Sequence, residues 1–152
     1  MSKMPPHTGP FVAVATFCER VLQEGDNTVS VIRVVDRLTI TAQGAEPPPE
    51  LPPYPMGLMA LVILRRGSAR GRQMVKIRPE DPGAERRPDI EIEVQLTGDE
   101  EQGANIIADF TGFALDREGL WWFDVLFGDS ETLLARIPLR VVYQRVRVNQ
   151  PG

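Results

Sequence analysis

The chain has 152 residues, 17 basic and 21 acidic side chains, and a formal charge of −4. Its 42% hydrophobic and 25% charged content suits one soluble globular domain and argues against a disordered or membrane chain. A single cysteine, Cys18, excludes an intrachain disulfide, and with a single histidine, His7, leaves too few soft ligands for structural zinc.

Residues 1–10 form a Pro-rich leader holding Pro5, Pro6, Pro10 and His7. A Ser-His-Asp or Cys-His pair would have to draw on His7, whose segment is expected to be too mobile to position a base. The leader carries one basic residue, Lys3, and the apolar stretch after it ends in Glu19-Arg20 rather than at a small-residue cleavage site. Together with the lone thiol, this points to the cytoplasm.

Residues 11–24 read two ways. Phe11, Ala15, Cys18 and Leu22 lie at helical spacing, with Pro10 and Gly25 as ends. Val12, Val14, Thr16, Phe17 and Val21 are β-branched or aromatic and favour a strand. The turn residues Glu24-Gly25-Asp26-Asn27 tip the reading to strand, turn, strand. Thr28 to Ile40 then reads as one long strand. It would place Asp36 on an apolar face with Ile32, Val34, Leu38 and Ile40, as a buried charge needing an arginine partner or else a place at the sheet end.

Residues 42–55 are a Pro-rich loop, read as a stiff connector. Met56 to Leu64 is the longest apolar run, at nine residues, which is too short to span a bilayer. Leu58 to Arg65 is expected to be a central strand, turned by Gly67 to Gly71 into Arg72 to Arg78 as a hairpin. The glycines there lack the lysine and spacing of a phosphate loop. Ile90 to Leu96 alternates strictly between apolar and polar, and Ile106, Ala108 and Phe110 alternate before Gly112. The intervening acidic loop, Thr97 to Glu101, matches no calcium-loop spacing. Trp121, Phe123, Val125 and Phe127 form another period-two set, and Leu134 to Gln144 is a last strand with an edge or bulge at Pro138. Short apolar segments at even spacing make this an all-β chain, a sandwich or barrel, in one domain over residues 11–148 with a tail at 149–152.

Phe17-Cys18-Glu19-Arg20-Val21, Val29 to Arg37, Gly119 to Val125 and Ile137-Pro138-Leu139-Arg140-Val141 resemble an uncharacterised bacterial β-sandwich domain family. The resemblance covers the N-terminal hairpin and the last two strands. It implies an immunoglobulin-like antiparallel β-sandwich of about seven to nine strands, without assigned activity and without catalytic residues to transfer.

Charge is unevenly spread. Residues 56–78 hold six basic side chains (Arg65, Arg66, Arg70, Arg72, Lys76, Arg78) and no acids, whereas residues 79–132 hold fifteen acids and three bases. The basic set is either a patch for an acidic partner or simply neutralised by neighbouring acidic strands. Negative net charge and the lack of an aromatic-rich basic motif argue against nucleic acid. Trp122 shares a strand face with Leu120, Asp124 and Leu126, and if that face is wet it is a contact stripe.

Two functions follow as expectations. One is a non-catalytic protein-interaction module, binding another protein or itself through Trp122, Leu120, Leu126 and the arginines 65, 66, 70 and 72, or through an open edge strand, without cofactor, metal or membrane. The other is a small-ligand binder or carboxylate enzyme using Asp36, Asp109 and Asp124, which requires a pocket holding at least two of them.

Overall fold

The computed structural model describes residues 9–149, all of them in strands or loops; His7 and the tail from Gln150 lie outside. The strands are β1 (Phe11–Gln23), β2 (Val29–Val35), β3 (Arg37–Gly44), β4 (Tyr54–Pro55), β5 (Met59–Arg65), β6 (Gly71–Glu80), β7 (Ile90–Leu96), β8 (Gly103–Asp109), β9 (Ala114–Leu115), β10 (Gly119–Phe127) and β11 (Thr132–Arg147). The described residues hold no helix long and apolar enough to cross a membrane. One sheet runs β2-β1-β5-β8, a second β3-β11-β10-β6-β7, and β4 pairs with β9 as a short ribbon.

The core lies between the two larger sheets. Phe17 of β1 meets Phe123 of β10 edge to face at 4.7 Å, and Phe110, Phe113 and Trp121 extend the cluster. Edge-to-face pairs set the partly positive ring edge against the negative face of the neighbouring ring. Val94, Trp121 and Phe123 are buried, and Ile90 and Ile92 pack against them, as the alternation of their strands requires.

Residues 11–23 are a strand, and Asn27 takes φ 68°, the left-handed turn conformation an asparagine tolerates. The expected long strand over Thr28 to Ile40 is instead two strands in different sheets, broken at Asp36. The chain crosses there from the first sheet to the second, and Arg140 N–H donates to Asp36 O at 2.9 Å. The crossing undoes the shared face: Val34 is 60% exposed and Ile40 is buried. β3 then runs parallel to β11, the one departure from antiparallel pairing in the described sheets. It continues through residues 42–44, so the Pro-rich loop begins later than expected.

Met59 to Arg65 and Arg72 to Arg78 do not form a hairpin. β5 is paired on both sides, by β1 and β8, and has no free edge to offer β6. Residues 66–70 cross to the second sheet instead. Pro138 lies where β11 is paired with β10 only, because β3 joins from Arg140 onward, so the expected edge position holds.

The first sheet curls. β1 leaves β5 at Cys18 and Met59 and continues with β2 to Gln23 and Val29. A straight ribbon would carry its turn beyond the start of β5. Instead Asn105 Nδ2 donates to Asn27 O at 3.1 Å, and Asn27, Thr28 and Val29 line a pocket with Ile63, Arg65 and Asn105. The ribbon therefore doubles back over the outward face of β5 and β8. Its bend coincides with Glu19 and Arg33, which the pairing skips, and Arg33 sits at φ 57°. That conformation costs a non-glycine residue about 1–2 kcal/mol, so the surrounding packing must impose it. Cys18 and Leu61 point away from the main core, yet both are buried at this fold-over.

Candidate functional site

The face carrying Trp122 is not an open apolar stripe. Arg136 lies over the Trp122 ring at 4.6 Å and bonds Asp124 at 2.7 Å, Leu120 and Trp122 are half-buried, and Leu126 is buried. Long cationic side chains on neighbouring strands cover such a face with their stems and stack on its rings.

The arginines of residues 56–78 divide by neighbourhood. Arg72 pairs with Glu93, Arg78 with Asp89 and Glu131, and Lys76 with Glu131. The acidic neighbours thus neutralise most of the basic strand, and Glu131 is pulled down to about 2 by Arg78 and Lys76. Arg66 is 4% exposed and unavailable to a partner. Its guanidinium donates to Gly98 O at 2.9 Å and Gly67 O at 2.8 Å, which ties the β5–β6 crossing to the loop after β7. Arg70 is exposed, and Arg65 is half-buried at the end of β5.

Asp36 is exposed in the β2–β3 link, which corrects its expected burial. Asp109 accepts from the N–H and hydroxyl of Thr111, which lower its pKa, and Asp124 accepts from Arg136. None of the three lines a described pocket, and they sit on separate elements. Among the described residues, no group of three or more His, Cys, Asp or Glu gathers as a metal site. Burial pushes the Cys18 thiol up, as befits a small packed side chain.

Among the described residues the buried carboxylate is Asp81, which sequence reasoning passed over. Its carboxylate accepts from Gly83 N–H at 2.8 Å, Glu85 N–H at 3.0 Å and Arg87 Nη2 at 2.9 Å. Arg87 also bonds Asp116 through both terminal nitrogens and lies 5.3 Å from the centre of the Trp121 ring. Burial alone would raise the Asp81 pKa. The bonds from Arg87, Glu85 and Gly83, with Arg117 nearby, outweigh it and hold the group below the ordinary carboxylate value. Every lone pair is used inside the protein, so this cluster pins the loop after β6 rather than presenting a reactive group. The Asp81-Pro82-Gly83 turn signature was the available cue.

Among the described residues, two features open to a partner stand out. The first is the β1–β2 ribbon, where Val14, Leu22, Val31, Ile32 and Val34 are exposed. β2 is an outer strand with no strand on its other side among the described residues. Glu24 N–H donates to Thr28 O, so by alternation residues 30 and 32 bond β1 and the backbone groups of Val29 and Val31 point outward. The second is a polar cleft between the ribbon's turn and the ends of β5 and β8, lined by Asp26, Asn27, Arg65, Thr97, Gln102 and Asn105, of about 360 Å³.

The chain matches no protein-family model and no curated protein. The resemblance of its first hairpin and last strands therefore rests on those motifs alone.

Proposed function

We propose that this chain is an immunoglobulin-like β-sandwich that acts as a protein-interaction module, taking an extended segment of a partner protein along β2. The order of the larger sheets supports the fold reading. A β10–β11 hairpin is flanked by β3 on one side and by β6 and then β7 on the other, and β5 lies between β1 and β8, with chain crossings between the sheets.

The observation that carries the function is the outer strand β2, with Val31, Ile32 and Val34 exposed on an unpaired edge. Such edges template strand addition: backbone bonds supply affinity and alternate side chains supply selectivity. The bend at Arg33 interrupts the edge, so the regular stretch offered to a partner runs from Val29 to Ile32.

Photo-crosslinking in the source cell tests this. With Ser30 replaced by a photoreactive residue, protein adducts are expected. Val31→Pro removes an outward donor while leaving the β1 ladder intact, and is expected to abolish them without lowering the melting temperature. No adducts, or adducts that survive Val31→Pro, overturn the reading. An adduct of twice the chain mass identifies a second copy as the partner.

A further inference from the structure

We propose that the cleft at the end of β5 binds a small carboxylate that also carries a hydroxyl or ammonium group, with Arg65 as its anchor. Among the described residues Arg65 is the half-buried arginine that has neither an ion pair nor a side-chain hydrogen bond. Arg66, Arg78 and Arg87, equally or more enclosed, are bonded to carbonyls or carboxylates. The other arginines lacking a partner (Arg20, Arg37, Arg70, Arg86, Arg140, Arg147) are exposed, where water serves them. A guanidinium removed partway from water without a protein acceptor is a group prepared for an external one.

The walls define the chemistry of that acceptor. Gln102 Oε1 takes the N–H of Asp99, so its amide NH₂ remains free to donate. Asn105 Nδ2 is used on Asn27 O, so its carbonyl oxygen remains free to accept. Asp26 Oδ1 is held by the N–H and hydroxyl of Thr28, leaving Oδ2 to accept from a ligand. One planar cationic fork suits one carboxylate, gripped through both oxygens. Asp26, with the acidic stretch Asp99-Glu100-Glu101 in the adjoining loop, opposes a second negative charge, which disfavours phosphate. Asp26 and Asn105 together call for a donor on the ligand. Among the described residues no aromatic side chain lines this pocket, which suits a ligand polar throughout, and a volume of about 360 Å³ restricts it to a small molecule.

The neighbouring pocket of about 270 Å³ is lined by Asn27, Thr28, Val29, Ile63, Arg65 and Asn105, and shares Arg65, Asn27 and Asn105 with the first. The ribbon's fold-over thus forms one wall of the cleft, and the turn that reaches Asn105 puts Asp26 in the same lining as Arg65.

Amide-resolved NMR titration of the full chain tests the proposal, with glycine, glycolate, acetate and inorganic phosphate as probes. Glycine and glycolate are expected to shift the Gly103 and Asn27 N–H and the Asn105 side-chain amide, saturating in the millimolar range typical of ligands this small, on the order of 1 mM. Acetate, lacking the donor, is expected to bind about tenfold more weakly. Arg65→Gln is expected to remove saturation, and Arg65→Lys, which keeps the charge without the fork, to weaken it about tenfold. Arg70→Gln, on the exposed neighbour, is expected to leave it unchanged. Asp26→Asn distinguishes the two ligand types, weakening glycine more than glycolate if Asp26 receives an ammonium group. Absence of saturable shifts with glycine and glycolate, phosphate binding as tightly as they do, or binding retained in Arg65→Gln overturns the proposal.

Discussion

Replacing Asp81 by Asn removes a charge without changing the side chain's size. Loss of one partner from a buried ion pair costs about 3–5 kcal/mol when the other charge is stranded. Here Arg87 keeps both bonds to Asp116, at 3.0 and 2.9 Å, so it is not stranded. The amide oxygen can still accept from Gly83 and Glu85. What is lost is the pair of charge-assisted bonds from Arg87 to Asp81, at 3.2 and 2.9 Å. A hydrogen bond to a charged group contributes about 1.5–3 kcal/mol, and because these two come from one guanidinium that stays bound to Asp116 they do not add in full, so the expected loss is about 2–3 kcal/mol. For a chain of this length that lowers Tm by roughly 5–10 °C. Urea unfolding followed by tryptophan fluorescence reads the change, because Trp121 is buried beside Arg87. Asp116→Asn alters a carboxylate that is 36% exposed and is expected to cost less. An Asp81→Asn protein within about 0.5 kcal/mol of the parent, or an Asp116→Asn protein that is less stable than it, would refute the argument that burial makes Asp81 the keystone of this loop.

Two further outcomes follow from the same electrostatics and packing. Asp81, Asp89, Asp116 and Glu131 all have pKa values lowered by folding, Glu131 to about 2. Their contribution is therefore complete above the unfolded carboxylate range of about 4 and is lost as pH falls through the folded values. Unfolding free energy measured by urea titration should be level near neutrality and decline from roughly pH 4.5 toward pH 2, less steeply in Asp81→Asn; a decline on raising pH from 5 to 7 would contradict this. Arg66→Met leaves the carbonyls of Gly67 and Gly98 without their donor at a buried crossing. It is expected to cost about 2–4 kcal/mol and to speed hydrogen exchange at the Gly67 N–H, which bonds Glu100 O, whereas a neutral result would return Arg66 to the surface set.

Strand periodicity made much of the architecture legible. Ile90 to Leu96 and Trp121 to Phe127 alternate because one face of each strand packs inward. Met59 to Arg65 is almost wholly apolar because strands cover both of its edges and the ribbon folds over its outer side. Pairing partners were not legible. Thr28 to Ile40 has an unbroken β pattern, and nothing local marks Asp36 as the point where the chain changes sheets. Likewise Gly67 to Gly71 has turn composition whether it closes a hairpin or crosses between layers.

The site residues show the same division. Sequence alone established that the chemistry-bearing residues are few, with one thiol and one histidine, and that the arginines cluster between Arg65 and Arg78. Which arginines are occupied was decided by register: β7 brings Glu93 and Asp89 near Arg72 and Arg78, while the crossing turns Arg66 inward onto carbonyls and leaves Arg65 facing the cleft. The exposure of Trp122 stayed open in the sequence because alternation gives a side chain its face but not its cover, and Arg136, fourteen positions on, supplies that cover only when β10 and β11 pair. Local sequence determines which way a side chain points, since backbone geometry repeats every two residues along a strand. The partner it meets depends on strands distant in sequence, and only the folded chain brings them together.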